Sequence, residues 1–448
     1  MTLLLEKINS IVWGAPTLCL ILGTGLWLSI RTGFVQFRRF PQALRRFWGM
    51  LKPSDTQPGA VSPFQALCTA LAATVGIGNL AGVAGAIAIG GPGAIFWMWI
   101  CALLGMGTKF AEAALAVRFR QKNAQGELVG GPMYTIRRGM KKPWHWLAGC
   151  YSFFGVIAAF GVGNATQINA VVSGINGVIV SLGGEVSFWG DLLMGILLGA
   201  MLLAMLLGGL NRISKVAQIL VPFASLGYIF LGVGVLVLRW ERLPGAFLSI
   251  FQGAFSPEAV TGGMIGSAFS ALRIGVSRGV FTNEAGMGTA SIAHAAAQVD
   301  HPAHQGLMGI MEVFLDTLVI CTVTALVILV SGVPIPYGQD IGAALTGQAF
   351  ASVYGQWVHI FLAAALSCFA IATVLGWGLY GIRCAQYLFG SGVWKRFVCL
   401  QAVAVVLGAV LKTQTVWLLS ETVNGLMAIP NLIALIALTS EVKALASE

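Results

Sequence analysis

Two glycines interrupt a long apolar stretch in the first quarter of the chain. Ser62–Ile89 is apolar enough to cross a bilayer, which takes roughly 20 residues, yet its middle reads TVGIGN at residues 74–79. Glycine inside a helix is about 1 kcal/mol less favourable than alanine, and lipid cannot hydrogen-bond a backbone that stops being helical. A span broken here leaves N–H and C=O groups that could bind a small polar molecule. Close packing of helices through small residues is the alternative explanation.

A second unusual stretch lies in the other half of the chain. Met264–Ala296 contains Arg273, Arg278 and Glu284, together with glycines at positions 275, 279, 286 and 288. A charge at the bilayer centre is unfavourable by about 2.5–3.5 kcal/mol on insertion scales. We therefore do not expect this stretch to be an ordinary lipid-facing helix.

The elements that must position both stretches are transmembrane helices. The chain is 57% hydrophobic and only 9% charged, whereas soluble domains are roughly 25% charged. This composition predicts an all-α polytopic membrane protein with about eleven spans, and no segment requires a strand. Ile11–Ile30 is interpreted as a retained first span, because no cleavage site of a signal peptide follows it.

Basic residues are concentrated between the apolar spans. The net charge of +10 is explained by the positive-inside rule, so no nucleic-acid partner is predicted. The same rule places the N-terminus outside and the C-terminus in the cytoplasm. In Arg31–Lys52 the basic residues alternate with aromatic ones. This segment could bind anionic membrane lipids, but an ordinary cytoplasmic loop explains it equally simply and is favoured.

The two unusual stretches occupy equivalent places in two halves of the chain. If the first span is set aside, ten spans remain. The broken span is the first of the first five, and the charged span is the first of the second five. Residues 1–61 then hold the extra helix and a basic loop, residues 62–241 the first repeat and residues 242–448 the second. Because each repeat has an odd number of spans, the second repeat has the opposite orientation in the membrane to the first. Interrupted helices at corresponding positions of two such repeats are typical of transporters with a binding site at the membrane midplane.

Four motifs resemble a known family: LAATVGIGNLAGVAGAIAIGGPGAIFWMW, GGPMY, NRISKVAQILVP and GVSRGVFTNEAGMGTASIAHAAA. Together they resemble the alanine or glycine:cation symporter family, of the amino-acid/polyamine/cation superfamily. The resemblance covers nearly the whole chain. It implies the fold of the leucine transporter, a five-plus-five inverted repeat, here preceded by one extra helix. It also implies uptake of alanine or glycine coupled to Na⁺, or to H⁺ in some members, across a prokaryotic-type inner membrane.

An amino-acid substrate needs partners for its carboxylate and its ammonium group. The N–H groups of Gly76, Ile77 and Gly78 suit the carboxylate, because the outer half-helix begins there with its positive dipole end. The polar neighbours Thr74 and Asn79 are further candidates, and Asn79 could either cap that half-helix or contact the carboxylate.

The ammonium group needs oxygen atoms. We expect a second break around Phe269–Gly275 to supply carbonyls, and Gln167 to supply a side-chain oxygen. An interhelical hydrogen bond of Gln167 is the alternative, worth about 0.6 kcal/mol on average in one membrane protein. Phe269, Thr373 and Trp377 are candidates to close the pocket over a small side chain, although aromatic residues more often fill a core.

The coupling ion and the remaining charges complete the predicted site. Na⁺ is expected near the carbonyls of Ala73 and Gly76 and the hydroxyls of Ser367 and Thr373, unless these hydroxyls bond to their own helix. Arg278 and Glu284 are predicted to form an inner-gate or helix-fixing network.

Four further charged residues lie within apolar spans. Lys109 and Glu112 are interpreted as a helix-surface ion pair. Glu312 and Asp316 are interpreted as buried partners of the arginines of the charged span, with a proton relay as the alternative. His294, His301 and His304 are expected in a polar cytoplasmic loop, with a pH-sensing role as the alternative.

Other classes of protein are less well supported. The sequence contains no HExxH motif, P-loop or convincing Ser/His pair, so we predict neither an enzyme nor an organic cofactor. A channel would need repeated filter or charged-ring segments, and two broken spans favour alternating access instead. No feature of the sequence predicts an oligomeric state.

Overall fold

The described part of the chain is mostly helical. The computed structural model describes residues 2–51, 61–124, 126–181, 183–265, 267–339, 342–411 and 414–448. Lys52, the end of the basic segment considered above, lies outside them. The first span and its cytoplasmic extension comprise α1 (Thr2–Val12), α2 (Ala15–Arg31), α3 (Val35–Arg38) and α4 (Phe40–Met50).

The first predicted repeat contains α5 (Pro63–Thr74), α6 (Val83–Gly90), α7 (Gly93–Arg118), α8 (Pro132–Gly139), α9 (Trp146–Phe160), α10 (Thr166–Ser181), α11 (Phe188–Leu206) and α12 (Gly209–Leu238). The second contains α13 (Leu243–Phe255), α14 (Pro257–Thr261), α15 (Ala268–Asn283), α16 (Thr289–His294), α17 (Pro302–Val313), α18 (Thr322–Ser331), α19 (Ala343–Tyr354), α20 (Val358–Phe389), α21 (Trp394–Val410), α22 (Gln414–Ala437) and α23 (Thr439–Ser447). A short antiparallel hairpin, β1 (Gln121–Lys122) and β2 (Leu128–Val129), follows α7, with Gln121 opposite Val129.

The number of membrane-spanning helices is close to the predicted number. Within the described residues, eight helical segments are long and apolar enough to cross a membrane, and two bent helix pairs raise the number to as many as ten. The eleventh predicted span corresponds to α15 and α16, which together carry two arginines and are therefore less apolar. The fold is thus an all-α polytopic membrane protein, as predicted.

The first broken span is broken where the sequence predicts it. Helix α5 begins with a capping box between Ser62 and Gln65 and ends at Thr74. Val75 is extended, with φ −75° and ψ 100°, and the chain resumes as a π-helical turn, Gly78–Gly82, that leads into α6. The two halves are bent by 54°.

The second break lies elsewhere than predicted. Helix α15 runs without interruption through Phe269 and Gly275, so the break expected there is wrong. The chain leaves the helix at Glu284, with φ 52°, and passes through two glycines of positive φ, Gly286 and Gly288, before α16 begins. Glycine adopts such angles without steric strain, which explains why the chain breaks at this pair of glycines.

Tertiary packing explains why the earlier glycine remains helical. A Cβ atom on Gly275 would lie 2.3 Å from the carbonyl oxygen of Ala94 in α7. This glycine therefore lets α15 and α7 approach closely, as small residues do between membrane helices. Helix α7 also packs against α17 and α2, so it contacts three other long helices.

Candidate functional site

The first break is surrounded by side chains from two other spans. A Cβ atom on Gly76 would lie 2.8 Å from Oγ1 of Thr373 in α20 and 3.4 Å from Oε1 of Gln167 in α10. Thr373 donates to the carbonyl of Phe369, 3.0 Å away, within its own helix. We call the space bounded by Gly76, Gln167 and Thr373 the central site. Three of the residues singled out in the sequence therefore converge, although they are far apart along the chain.

Gln167 presents an unused acceptor to this site. Its Nε2 donates to the carbonyl of Val162 at 3.1 Å, whereas its Oε1 is buried and has no hydrogen-bond partner among the residues that the structure describes. A buried acceptor without a partner typically destabilises a protein by about 1–3 kcal/mol. Because this oxygen lies beside Gly76, it is available to a ligand group that donates hydrogen bonds.

Asn79 caps the break and fastens it to a third span. Its Oδ1 accepts from the backbone N–H of Gly76 at 2.9 Å, and its Nδ2 donates to Oδ1 of Asp316 at 2.6 Å. The capping role considered for Asn79 is therefore the one observed. The N–H of Gly76 is engaged, which leaves Ile77 and Gly78 as the candidate donors for an anionic group.

Asp316 has partners that the sequence did not predict. It lies in a π-helical segment, Phe314–Cys321, between α17 and α18 and is fully buried. Its Oδ2 accepts from Thr317 at 2.8 Å, and the hydroxyl of Thr317 accepts from Asn283 at 3.2 Å. The predicted pairing with Arg273 or Arg278 is wrong. The oxygens of this buried carboxylate and of the neighbouring Thr317 hydroxyl are instead the kind of ligand that a hard cation prefers.

Trp377 lies about one helical turn beyond Thr373 on α20. The ring is almost fully buried, and Nε1 donates to Oε1 of Glu284 at 3.0 Å. The other oxygen of Glu284 accepts from Thr289. A Cβ atom on Gly163 would lie only 2.3 Å from Cβ of Trp377, so this glycine provides the room that the tryptophan occupies.

Phe281, rather than Phe269, is the aromatic residue of α15 near the break. Phe269 is 59% exposed, whereas Cδ1 of Phe281 lies 3.5 Å from the position of a Cβ atom on Gly78. Three turns of helix separate the two phenylalanines. Because α15 continues to Asn283, Phe281 and not Phe269 lies near the second break.

Two cavities lead away from the break. One, of about 270 Å³, is lined by Ile77, Gly78, Ala81, Gly82, Arg278, Phe281, Gly342 and Glu421. The other, of about 460 Å³, is more apolar and lies between the same half-helix and α10, α19 and α20. Ile77 and Ala81 line both cavities, so the beginning of the outer half-helix faces open space.

Arg278 forms an ion pair with Glu421 rather than with Glu284. Its Nη1 lies 3.4 Å from Oε1 of Glu421 in α22, so the predicted network of Arg278 with Glu284 is wrong. Asn9 of the extra N-terminal helix donates to Oε2 of Glu421 at 3.3 Å, and Trp13 donates to the backbone carbonyl of Glu421 at 2.9 Å.

The second break is held by a carboxylate from α7. Oε1 of Glu112 accepts from the backbone N–H groups of Gly286 at 2.9 Å and Gly288 at 3.0 Å, and from Asn431 at 2.7 Å. The interpretation of Glu112 and Lys109 as a helix-surface ion pair is therefore wrong, because both are buried. The single carboxylate satisfies two N–H groups that the break leaves without helical partners.

Lys109 pairs with Glu312 of α17 instead, at 2.8 Å. The second oxygen of Glu312 lies 3.0 Å from Nε2 of His294. His294 is completely buried at the end of α16, so its prediction as a loop residue is wrong. The charge in each apolar span was visible in the sequence, but its partner was not.

Two of the predicted ion ligands make other contacts in this structure. Ser367 donates to the carbonyl of Ala363 in its own helix at 2.7 Å, which is the common behaviour of serine in membrane helices. The Cβ atom of Ala73 lies 2.9 Å from the position of a Cβ atom on Gly376, so α5 and α20 are in close contact here. The carboxylate of Asp316 and the hydroxyl of Thr317 form the better pair of oxygen ligands.

Known proteins resemble the chain over nearly its whole length. A model of the sodium:alanine symporter family matches residues 1–448. The sodium/alanine symporter AgcS of Methanococcus maripaludis is 42% identical over 445 residues, which cover 98% of this chain and 95% of that protein. The amino-acid carrier protein AlsT of Bacillus subtilis is 36% identical over 425 residues, which cover 94% and 86% of the two chains.

A solved structure agrees with these relatives in fold. The crystal structure of MhsT in complex with L-phenylalanine matches with a TM-score of 0.60 at 13% identity and covers 88% of this chain and 99% of that one. This similarity confirms the predicted leucine-transporter fold. The chain is therefore a membrane transporter rather than an enzyme, and it belongs to the sodium:alanine symporter family.

Proposed function

We propose that this symporter takes up alanine, glycine or both together with Na⁺, by alternating access to the central site. The observation that carries the proposal is the convergence of Gly76, Gln167 and Thr373 at a break in the middle of a span. The relative AgcS is named as a sodium/alanine symporter, which supports both the substrate and the ion.

The substrate is oriented by its two charges. Its carboxylate faces the N–H groups of Ile77 and Gly78 at the beginning of the outer half-helix, where the positive end of the helix dipole attracts an anion. Its ammonium group donates to Oε1 of Gln167, the buried oxygen that has no partner in the described part of the chain. A charge-assisted hydrogen bond of this kind is stronger than a neutral one.

The limited space selects small side chains. Thr373 lies against Gly76, and Trp377 is held in place by Glu284 and by its contact with Gly163. A side chain larger than a methyl group would have to displace Thr373 or the tryptophan ring. Displacing well-packed side chains typically destabilises a protein by about 1–3 kcal/mol, so alanine and glycine are the preferred substrates.

Na⁺ binds between the first break and the π-helical segment. Asp316 supplies a negative charge, Thr317 supplies a hydroxyl oxygen beside it, and Asn79 holds Asp316 in place through its Nδ2 group. The carbonyls of Ala73 and Thr74 lie at the end of the inner half-helix, where the negative end of the dipole favours a cation. Because Asn79 also bonds to Gly76, ion binding is coupled to the shape of the substrate site.

The ion pair of Arg278 with Glu421 closes the outer side of the site. Both residues line the cavity that reaches Gly78, and both line a second cavity that contains Asn9 and Trp13. Separation of the pair would join the two cavities and open a path to the break. The N-terminus lies outside a prokaryotic-type inner membrane, the C-terminus is cytoplasmic, and residues 62–241 and 242–448 form the two inverted repeats.

Transport by purified protein tests the proposal. In proteoliposomes, an inward Na⁺ gradient at equal pH should drive saturable accumulation of labelled alanine and glycine. An imposed pH gradient without Na⁺ should drive none. Accumulation with the pH gradient alone would support H⁺ coupling instead, and an unsaturable current would identify a channel.

A further inference from the structure

The segment that follows the first span carries arginines and aromatic residues together. Its arginines are Arg31, Arg38, Arg39, Arg45 and Arg46, and no acidic residue occurs anywhere between Glu6 and Asp55. In the described part of the chain, none of these arginines forms an ion pair with a carboxylate. The segment therefore presents positive charge that the rest of the described protein does not neutralise.

Two helices, α3 and α4, occupy this segment, for which the sequence favours an ordinary loop. Helix α3 is fixed by Gln36, which is fully buried and donates to the hydroxyl of Ser29 in α2 at 2.7 Å. Helix α4 is fixed by Ala43, also fully buried, and by Phe40, whose ring centroid lies 4.9 Å from that of Phe314. The two helices thus have a defined position against α7 and α17.

Large apolar side chains of the segment are exposed. Phe37 is 51% exposed and Trp48 is 61% exposed. Phe34 is exposed as well, and its ring stacks on that of Phe37 with the centroids 6.2 Å apart. These residues follow Trp27 and Ile30, which are exposed near the end of α2. Apolar surface therefore continues from the end of the first span onto α3 and α4.

The backbone at Phe34 is unusual for a bulky residue. It is left-handed, with φ 51°, and follows Gly33, which has φ 63°. The N–H of Phe34 donates to the carbonyl of Ser29 at 2.6 Å, which closes the end of α2. A large side chain rarely adopts this conformation, because it is sterically unfavourable. Since the ring is exposed, burial within the protein does not explain it, whereas cover from outside the chain does.

The segment lies at the surface of the membrane. The first span ends at Arg31, and α3 begins at Val35. Residues directly after a span lie at the level of the lipid headgroups, where tryptophan rings are enriched. The guanidinium carbon of Arg31 lies 5.3 Å from the ring centroid of Trp27, so a cation and an aromatic ring are already in contact at this level. In the proposed orientation, this is the cytoplasmic surface.

Two arginines beside the exposed rings have side chains available to a ligand. Arg45 precedes Trp48 by three positions on α4, so the two share one face of the helix. Arg38 donates to backbone carbonyls, and Arg46 contacts His304. The side chains of Arg39 and Arg45 form neither a hydrogen bond nor an ion pair with any described residue. Guanidinium groups bind phosphate strongly through charge-assisted hydrogen bonds.

Arginines next to exposed rings match a ligand that has an anionic head and apolar chains. A soluble phosphate compound would use the arginines alone and leave the rings uncovered. A neutral lipid would cover the rings and leave the positive charge unbalanced. Basic segments directly beside a span on the cytoplasmic side are typical binding sites for anionic lipids.

We propose that the end of α2, α3 and α4 form a binding site for an anionic phospholipid. Its headgroup phosphate contacts Arg39 and Arg45, and its acyl chains cover Phe34, Phe37 and Trp48. We call this the lipid site. The inference goes beyond the proposed function and requires neither a particular amino acid nor a particular coupling ion.

Fluorescence quenching on α4 tests the site in the full-length protein. A fluorophore is attached to Gly49→Cys, where an added side chain meets nothing within 4 Å, after the exposed Cys19 and Cys399 are replaced by serine. Vesicles of phosphatidylcholine contain a small fraction of phosphatidylglycerol, or of phosphatidylcholine, with a nitroxide on the acyl chain. Phosphatidylglycerol should reach half-maximal quenching at a fraction at least about tenfold lower, because each arginine favours an anionic lipid about fivefold. Equal quenching by the two lipids would overturn the proposal.

Substitution of the two arginines assigns the preference to the site. Arg39→Gln combined with Arg45→Gln should reduce the preference for phosphatidylglycerol to about twofold or less. Arg137→Gln combined with Arg396→Gln is the matched control, since it removes the same charge from exposed positions on α8 and α21. The control should keep the parental preference. A preference that survives in the first variant, or that is lost equally in both, would exclude the lipid site.

A substitution of Phe34 tests the role of the rings. Asparagine tolerates the left-handed conformation, so Phe34→Asn keeps the turn after α2 and removes only the ring. Both nitroxide lipids should then need a fraction about threefold higher or more for half-maximal quenching, because apolar surface is lost from the site. Unchanged quenching by both lipids would show that the acyl chains do not cover these rings.

An excess of soluble glycerol 3-phosphate distinguishes a phospholipid from a free phosphate compound. It should not relieve quenching by phosphatidylglycerol, because it cannot cover the rings. Relief of quenching would show that the headgroup alone occupies the site and would overturn the assignment to a lipid. The measurements use no transported substrate, and the nitroxide lipids are present in both leaflets. They therefore remain decisive even if alanine uptake fails or the proposed orientation is rejected.

Discussion

Arg278 of α15 and Glu421 of α22 form an ion pair of 3.4 Å, although 143 positions separate them along the chain. The pair lies between two cavities, one of which reaches Gly78 at the first break. Asn9 of the extra N-terminal helix holds the second oxygen of Glu421. A helix outside the two repeats thus positions the acidic partner of the pair.

Loss of this pair should open the cavity. We expect Glu421→Gln to increase the rate at which a membrane-impermeant thiol reagent modifies Ala81→Cys, which lines both cavities, by about tenfold, because one charged contact is worth about 1.4 kcal/mol at partial burial. The control is Glu441→Gln, which removes an exposed pair with Arg118 at 3.8 Å and should change nothing. Equal rates in all variants would contradict the gating role.

Gln167→Ala should weaken substrate binding more than it slows transport. Loss of a hydrogen bond to a charged group is worth about 1.5–3 kcal/mol, so the KM for alanine should rise at least tenfold. Uptake kinetics provide the measurement. Asn176→Ala is the matched control, because this residue lies on the same helix and bonds to Asp191 instead. An unchanged KM in Gln167→Ala would remove Gln167 from the site.

Asp316→Asn should weaken Na⁺ dependence. The substitution keeps the size of the side chain but removes the negative charge beside Asn79, so half-saturation by Na⁺ should require at least about tenfold more ion. Alanine uptake is measured as a function of Na⁺ concentration, with thermal unfolding as a check of folding. Asp191→Asn, on the first turn of α11, should behave as the parent protein does. The ion site is elsewhere if Asp316→Asn also retains the parental Na⁺ response.

Gly163→Ala should disturb the pocket through Trp377. The added methyl group would lie 2.3 Å from the tryptophan Cβ, so the ring must move away from Glu284. We expect a loss of alanine uptake of about tenfold or more, consistent with overpacking by about 1–3 kcal/mol. Gly177→Ala, where nothing lies within 4 Å, is the control. Full activity of Gly163→Ala would show that this ring position does not matter.

Glu312→Leu should destabilise the protein because it leaves Lys109 charged and buried without its partner. Removal of one member of a buried pair typically reduces the free energy of unfolding by about 3–5 kcal/mol. The double variant Lys109→Met with Glu312→Leu should recover much of this loss. Thermal unfolding in detergent distinguishes the two variants, and equal stability of the single variant and the parent protein would contradict the role of the pair.

The sequence alone determined the class of the protein, the approximate number of spans and the position of the first break. Each depends on local properties. A membrane span can be recognised because its apolar run must be long enough to cross a bilayer. The two glycines at positions 76 and 78 weaken a helix whatever its neighbours are. The motif around the second break also determined the family. Gln167 and Thr373 could be selected as site residues because polar groups inside apolar spans are uncommon.

Packing between distant helices determines which glycines of the second stretch are helical and which charges pair. Gly275 is packed against Ala94, whereas Gly286 and Gly288 are held open by Glu112. Their local sequences are similarly rich in glycine, so the choice depends on which side chains α7 places opposite them. The same reason applies to the ion pairs. A buried charge must find a partner, but the sequence does not state which distant helix will supply it.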